Sequence, residues 1–166
     1  NTSTGIEVEN NEIINNESDG AFIKISAGKW GTSGSNGGDV TLNMTNQEVN
    51  GNIIVDNISS LSMNLTSKTV YKGVINTSNT ASNISLKLDK DSVIVLNGDS
   101  YVNSLDNEDS DNMNIYLNNH KLVVNGKEVS GNTNKYSEES ENEEANITVN
   151  NTNKSINYKL YILITL

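Results

Sequence analysis

Several residue types are missing from this sequence, and each absence narrows the range of functions. Cysteine is absent, which excludes a disulfide framework and thiolate chemistry. Arginine is absent as well, so no side chain can hold a phosphate or carboxylate with a bidentate guanidinium fork. With 21 acidic and 11 basic residues, the formal net charge of −10 disfavours nucleic acids and anionic lipid surfaces as partners.

The abundant residues favour short strands joined by tight turns. Asparagine is the most frequent residue, and serine, threonine, aspartate and glycine add further turn-forming residues. The apolar residues are mostly isoleucine, valine and leucine, which favour strands. At 166 residues the chain is long enough for one domain with its own core. The composition therefore predicts an all-β domain.

One apolar pattern recurs along the chain. Three apolar residues occupy alternate positions, as in Val40, Leu42 and Met44, and after a gap of four residues another follows, as in Val49. Such alternation marks a strand with one buried face. Aligning the repeats gives four columns: Ala21/Val40/Leu61/Ile84/Met113, Ile23/Leu42/Met63/Leu86/Ile115, Ile25/Met44/Leu65/Leu88/Leu117 and Trp30/Val49/Val70/Val93/Leu122.

The repeated units begin at Ala21, Val40, Leu61, Ile84 and Met113. A unit that recurs at such intervals predicts a solenoid, in which each coil buries its apolar face on its neighbours. We predict a parallel β-helix of about five coils over residues 21–129, preceded by a partial coil or cap over residues 1–20. Residues 130–166 are predicted to form an acidic, polar tail with a short apolar end. A β-sandwich is the rival fold, but it gives no reason for the constant four-residue gap.

The apolar end of the chain leaves three interpretations open. It is too short to span a bilayer, which takes about 20 apolar residues. It can form a terminal strand that covers the last coil, begin a truncated membrane anchor, or be an unnatural end of the reading frame. Contact with a membrane is expected only in the second case.

The polar columns offer little for catalysis. Glycoside hydrolases need two converging carboxylates, whereas the turn columns that contain Asp89 and Asp91 carry no second acid. His120, the only histidine, follows Asp91 in its column, which allows an ion pair between them. We therefore predict that the protein is not an enzyme.

Two sets of residues are candidates for binding. Aromatic rings stack on sugars, and the candidate rings are Trp30, Tyr71, Tyr101 and Tyr116. The apolar column of Trp30 also predicts core packing for that residue. The turn 97–112 offers four carboxylates to a hard cation such as Ca²⁺, from Asp106, Glu108, Asp109 and Asp111. The same run also fits a solvated acidic loop, because it lacks the spacing of an EF-hand.

Several phrases of the sequence resemble known bacterial surface proteins. They are Lys29-Trp-Gly-Thr-Ser-Gly-Ser-Asn-Gly-Gly-Asp-Val-Thr-Leu42, Gly51-Asn-Ile-Ile-Val-Asp-Asn-Ile-Ser-Ser-Leu61, Tyr71-Lys-Gly-Val-Ile-Asn76, and the stretch from Gly98 to Gly126. These phrases resemble the C-terminal half of clostridial-type carbohydrate-binding or adhesin-like β-helix proteins. The resemblance implies a right-handed, pectin-lyase-like parallel β-helix outside the cell, with Ca²⁺ and acidic-polysaccharide binding typical of some relatives. Longer members carry N-terminal coils that are missing here, and a binding surface on those coils would be missing too.

These observations lead to one main hypothesis and two alternatives. The main hypothesis is a non-catalytic, secreted or cell-surface module that binds polysaccharide or a host glycan as a monomer. The first alternative is a purely structural stalk or cap without a ligand. The second is a pectate-lyase-like polysaccharide enzyme.

Overall fold

The computed structural model describes residues 2–9, 12–14, 20–29, 31–137 and 163–165, and these residues contain strands and turns but no helix. The strands of this part of the chain are β1 Thr2–Glu9, β2 Glu12–Ile14, β3 Ala21–Ser26, β4 Gly38–Thr45, β5 Glu48–Asn50, β6 Asn52–Val55, β7 Ser60–Thr66, β8 Val70–Gly73, β9 Asn83–Leu88, β10 Val93–Leu96, β11 Ser100–Val102, β12 Ser104–Asn107, β13 Ile115–Tyr116, β14 Leu122–Val124, β15 Lys127–Glu128 and β16 Leu163–Thr165.

The strands stack into a parallel β-helix with three faces. Face A has the strand order β1-β4-β7-β9-β12, and face B has the order β13-β10-β8-β5-β2. Face C comprises the sheets β16-β3-β6 and β11-β14-β15. Ile75 links these two sheets, because it bridges Ile53 and accepts a hydrogen bond from the Tyr101 N–H at 2.9 Å. The described strands pass over face A five times, and the predicted all-β parallel β-helix is confirmed. Its handedness stays a prediction.

The middle of face A forms the core that the alternation predicted. The β4, β7 and β9 strands pair in register, so their inward side chains form continuous columns. All nine of these side chains are at most 1% exposed. The columns are Val40/Leu61/Ile84, Leu42/Met63/Leu86 and Met44/Leu65/Leu88.

The first coil differs from the prediction. The columns predict Ala21 to Ile25 beside Val40 to Met44, but β1 occupies that place, and Ile6 pairs with Leu42. The β3 strand lies on face C instead, where Ile23 pairs with Ile53. Alternation shows that one side of a strand is buried, but it does not show which face of a solenoid the strand joins.

The last coil also differs from the prediction. The sequence predicts one long turn over residues 97–112, but this segment contains β11 on face C and β12 on face A. Leu105, on β12, therefore pairs with Leu86, in the place predicted for Ile115. Ile115 pairs with Ile94 on face B, and Met113 is 48% exposed. A strand as short as β12 carries one apolar side chain and gives no alternation to detect.

The predicted column Trp30/Val49/Val70/Val93/Leu122 is wrong by one residue in the two coils that follow Val49. Val49 pairs with Tyr71 rather than Val70, and Tyr71 pairs with Ile94 rather than Val93. The turn between faces A and B has one more residue in these coils, so the predicted constant gap does not exist. A shift by one residue moves a side chain to the opposite side of a strand. Tyr71 is accordingly inside, whereas Val70 and Val93 face outward and are half-buried.

Leu122, the last member of that predicted column, lies on a different face. It is in β14 on face C, where it pairs with Ser100 of β11. The coil that begins with β12 reaches face B at Ile115, well before Leu122.

A buried polar column follows the corner between faces A and B. Its members are buried and lie one per coil: Gln47, Thr69, Ser92 and Asn114. The Gln47 N–H donates to Thr69 Oγ1 at 3.3 Å, and the Thr69 N–H donates to Ser92 Oγ at 3.2 Å. Side chains of one coil thus satisfy corner N–H groups of the preceding coil, which would otherwise be buried without a partner.

Two chain segments cover the C-terminal end of the stack. The β15 strand pairs antiparallel with β14 through the turn Asn125-Gly126, whose φ angles of 49° and 77° fit a type I′ hairpin. Asn132 then pairs with Tyr116 and continues face B beyond residue 129.

The apolar end of the chain contributes a strand, but not over the last coil. Its β16 strand pairs in parallel with β3, which belongs to the first coil. The predicted acidic run 138–144 lies outside the described residues. Within the part of the chain that the structure describes, no helix is long and apolar enough to cross a membrane.

Candidate glycan-binding surface

Tyr71 faces the core, which corrects its assignment as a stacking residue. Its side chain is fully buried, and its hydroxyl donates to the Val74 carbonyl at 3.2 Å. Burial raises the pKa of the Tyr71 phenol far above its ordinary value. The ring therefore presents no surface to a ligand. The cause is the extra residue in the preceding turn, which places Tyr71 rather than Val70 inside.

Tyr116 lies on the outside of face B, beside an aromatic residue that the sequence reasoning missed. The ring centroids of Tyr116 and Tyr136 are 5.0 Å apart, and the ring planes meet at 75°. Edge-to-face contact of this kind is a favoured geometry for aromatic pairs. Lys72 Nζ lies 5.5 Å from the Tyr136 centroid, within cation–π range, and also bonds Glu48 Oε1 at 2.7 Å.

The strand register explains how these side chains meet. Lys72, Val95 and Tyr116 pair in succession across face B, so their side chains form one outward column. Tyr136 contacts Lys72 and Tyr116, which flank Val95 in this column. Val95 is only 7% exposed although its side chain faces outward. We refer to Glu48, Lys72, Val95, Tyr116 and Tyr136 as the Tyr116–Tyr136 patch.

Two features of the sequence mark the segment that brings Tyr136 to face B. Tyr136 follows Tyr116 by 20 positions, which is close to one coil. Gly131 lies where the chain crosses the last coil so closely that a Cβ would be 2.7 Å from the Ile115 carbonyl oxygen. Both signals lie in the stretch whose composition predicts a polar tail, and composition alone gives Tyr136 no place in the fold.

Tyr71 and Tyr101 do not join this patch. Tyr101 is half-buried on β11 of face C. Trp30 lies outside the described residues. Its loop is closed by a hydrogen bond from Asn36 Nδ2 to the Gly28 carbonyl at 2.7 Å. Among the predicted rings that the structure describes, only Tyr116 has an aromatic partner, Tyr136, on the surface.

The acidic turn is organised by hydrogen bonds within the protein. The Asp109 carboxylate accepts the Asp111 N–H at 3.1 Å and the Asn114 N–H at 3.2 Å. Asp106 lies 3.3 Å from Lys87 Nζ. In the described ranges, no three His, Cys, Asp or Glu side chains are grouped so that they could hold a metal ion. Binding of Ca²⁺ by this turn, with Glu108 among its ligands, stays a prediction.

Asn114, two residues after this turn, connects it to the preceding coil. Its side-chain amide donates to the Asp89 carbonyl at 3.0 Å and to the Ser92 carbonyl at 3.1 Å. Its Oδ1 accepts a hydrogen bond from Asn107 Nδ2 at 2.8 Å. These bonds tie the acidic turn to the preceding coil through a neutral side chain.

His120 has a different neighbour from the predicted one. Its Nδ1 lies 3.9 Å from Asp99 Oδ1, and Asp99 also accepts the Lys121 N–H at 3.1 Å. His120 lies after a strand of face B, at the corner between faces B and C. Asp91 lies before a strand of face B, at the corner between faces A and B. The two residues occupy different corners, so the predicted pairing with Asp91 is wrong.

The outside of face A is polar and bonded to itself. Asn64 Nδ2 donates to Asn43 Oδ1 at 2.6 Å, and Asn43 Nδ2 donates to Glu7 Oε1 at 2.6 Å. In the neighbouring column, Ser85 Oγ donates to Ser62 Oγ at 3.1 Å. Face A therefore offers hydroxyl and amide groups that already bond one another across coils, and it carries no ring in its described outward columns.

Comparisons with known proteins found no match that could suggest a function. No family model, no curated protein and no solved structure matches this chain. The resemblance to clostridial-type surface proteins therefore stays a prediction from the sequence.

Proposed function

We propose that this protein is a non-catalytic, secreted or cell-surface β-helix module that binds polysaccharide or glycan through the Tyr116–Tyr136 patch. The observation that supports the proposal is an edge-to-face aromatic pair on the outside of a rigid sheet, with charged groups beside it. Aromatic rings supply apolar area to the faces of sugars, and a few polar groups then fix orientation.

The polar groups of the patch suit sugar hydroxyls. Glu48 accepts hydrogen bonds, and the Lys72 ammonium donates them. Asn50 pairs with Lys72 across face B, is exposed, and adds an amide that does both. The paired strands hold these groups in place, so little conformational entropy is lost when a ligand binds.

The net charge favours a neutral ligand. A polysaccharide that carries carboxylates would approach a chain with a formal charge of −10, and repulsion would oppose binding. Such a ligand would need a bridging cation, and Ca²⁺ on the acidic turn is the proposed candidate. The secreted or surface location is part of the proposal and rests on the resemblance and on this class of ligand.

Affinity electrophoresis and pull-down on cellulose, pectin and mucin, each with and without Ca²⁺, test the proposal. We expect Tyr116→Ala and Tyr136→Ala to weaken binding about tenfold each, because each removes a stacking surface. Tyr101→Ala is the matched control, since it removes a tyrosine from a different face. Circular dichroism checks that each variant is folded.

Two results would contradict the proposal. One is a wild-type protein that binds none of these polymers in either condition. The other is a loss of binding in Tyr101→Ala as large as in Tyr116→Ala.

The structural stalk is the second candidate, and the self-bonded surface of face A favours it. Side chains that bond one another across coils stiffen the stack and leave fewer groups for a ligand. A stalk predicts no shift in melting temperature with any glycan, whereas a binding module is stabilised by its ligand. The lyase alternative is tested on polygalacturonate through release of unsaturated products.

A further inference from the structure

The chain contains four Asn-Gly dipeptides: Asn36-Gly37, Asn50-Gly51, Asn97-Gly98 and Asn125-Gly126. In this dipeptide the backbone nitrogen of glycine can attack the side-chain amide carbon of asparagine. Glycine is the most reactive following residue because no side chain hinders the attack. The surrounding structure then decides which dipeptide reacts, since the glycine nitrogen must be free to move towards the amide.

Two of the four glycines are held tightly in the stack. The Gly51 N–H donates to the Lys72 carbonyl at 2.9 Å, and Gly51 is buried, although Asn50 is exposed. Gly37 is buried against the Ile58 carbonyl, where a Cβ would be only 1.9 Å from the oxygen. Attack by either nitrogen requires several inter-coil contacts to break.

The third dipeptide is held on both sides. The Asn97 N–H donates to the Gly73 carbonyl at 3.1 Å, and the Gly98 carbonyl accepts a hydrogen bond from Ser100 Oγ at 3.1 Å. Gly98 also packs against Val74. Its reactivity should be below that of an unconstrained dipeptide.

The fourth dipeptide has the least constrained glycine, although the Asn125 N–H donates to the Val102 carbonyl at 2.9 Å. Asn125 and Gly126 are both exposed, and no atom lies within 4 Å of a Cβ placed on Gly126. They form the turn before β15, a strand of two exposed residues. The Lys121–Glu128 ion pair spans this hairpin, but both side chains are more than half exposed and add little stability. Opening of the hairpin therefore costs little and frees Gly126, whose nitrogen is the attacking group, from its left-handed turn conformation.

We propose that Asn125 is a site of spontaneous deamidation that the fold selects from the four dipeptides. The Gly126 nitrogen loses its proton and attacks Asn125 Cγ, the new N–Cγ bond forms, and the Cγ–Nδ2 bond breaks. The amide nitrogen leaves as ammonia with that proton. Water then opens the cyclic imide at either carbonyl and yields aspartate or isoaspartate. No oxidant or reductant takes part.

The isoaspartate product would change the end of the stack. It inserts an extra carbon into the backbone of a two-residue turn, which no longer fits the type I′ geometry. The modification also adds a negative charge at Asn125. We expect β15 to separate from β14, which leaves the β14 edge of face C unpaired.

Peptide mapping by mass spectrometry tests the proposal on the full chain after incubation in mildly alkaline buffer. In the folded protein, we expect Asn125 to lose its amide about tenfold faster than Asn50. A sample in concentrated urea is the control, where the four dipeptides should react at similar rates. The variant Asn125→Asp supplies the mass standard for the aspartate product.

The proposal is overturned if Asn50 in the folded protein reacts as fast as Asn125. It is also overturned if urea leaves the ratio of the two rates unchanged, because the local sequence rather than the fold would then set the selectivity. Heavy-oxygen water provides a further check, since both products must gain one labelled oxygen when the imide opens.

Discussion

At the scale of single residues, short polar side chains at the corners hold successive coils together. Asp89 is the clearest case, because its carboxylate accepts the Ser67 N–H at 2.7 Å and the Ser92 N–H at 2.8 Å. Burial raises the pKa of Asp89, but the Ser92 hydroxyl and the N–H groups of Ser67, Ser92 and Asp91 outweigh burial. The pKa therefore lies below its ordinary value. Asp56 is placed in the same way, and its pKa is also lowered.

The lowered pKa values predict a loss of stability in acid. A carboxyl whose pKa is lower in the folded state stabilises the protein fully above its ordinary pKa of 3.8. That contribution is lost as pH falls through the folded value. Asp89→Asn should lower the free energy of unfolding by about 1 kcal/mol near neutral pH, a figure reduced for solvent exposure.

Urea unfolding at neutral pH and well below pH 3.8 measures this effect. The difference between wild type and Asp89→Asn should shrink in acid, since both side chains are then neutral. Asp91→Asn, at an exposed carboxyl two residues away, is the control and should change stability little at either pH. A difference that stays constant with pH would contradict the assignment.

At the scale of the strands, successive coils approach one another closely where face B ends. Gly73 closes β8, and a Cβ on it would lie 2.2 Å from the Gly51 carbonyl oxygen and 2.7 Å from the Tyr71 hydroxyl. The obstacle includes backbone, which cannot move aside without shifting the neighbouring coil. Gly5 lies on β1, where nothing is within 4 Å of the corresponding position.

This contrast gives a matched pair of substitutions. Gly73→Ala should lower the free energy of unfolding by about 2 kcal/mol or more, because the added methyl overpacks a backbone contact. Gly5→Ala should change it by less than about 0.5 kcal/mol. Thermal and urea unfolding measure both. Equal changes in the free energy of unfolding would show that the loss of stability comes from replacing a glycine in a strand and not from the contact with Gly51.

The strands also show how far sequence reasoning can reach. Alternation located the interior of β4, β7 and β9, because three apolar side chains at alternate positions are typical of a strand with one buried face. It failed at Val70 and Val93, because one extra turn residue in these coils places Tyr71 and Ile94 inside instead. Both coils carry apolar side chains at both parities, as Val70 and Tyr71 show. Which of the two enters the core depends on the hydrogen-bond register between coils, and the pattern within one strand does not contain that information.

The candidate site was less predictable than the fold. The alternating run predicted that Tyr116 lies outside the core, and its half-buried side chain confirms this. The run predicted the wrong face for Tyr116, which lies on face B. Tyr136 could not be placed, because its position follows from the pairing of Tyr116 with Asn132, a residue that no apolar repeat includes. Short-range patterns do not report such long-range pairing.

At the scale of the whole molecule, the fold is a stack in which each coil contacts its neighbours. The free energy of unfolding of such proteins is approximately a sum of terms for each repeat and for each interface between repeats. Leu61 pairs with Ile84, so the segment 61–83 is one complete turn of face A, face B and face C. Its removal would bring Val40 into register with Ile84.

We expect a variant that lacks residues 61–83 to fold as a shorter β-helix. Its far-UV circular dichroism should remain typical of β structure, and its urea m-value should fall with the smaller buried surface. A variant that lacks residues 61–82 is the control. Its register is shifted by one residue, so its inward and outward side chains are exchanged downstream and it should not fold cooperatively. Equal behaviour of the two deletions would contradict the register.

The parallel pairing between coils has a mechanical consequence. The backbone hydrogen bonds of all three faces point along the axis of the stack, whereas the strands run across it. A pull on the two ends of the chain would load these bonds at the outermost coil first, a few at a time, and would peel the coils away at low force. Bending or compression would instead load whole faces together. Such a stack resists crushing better than tension, which suits a spacer that keeps two surfaces apart more than a tether that holds them together.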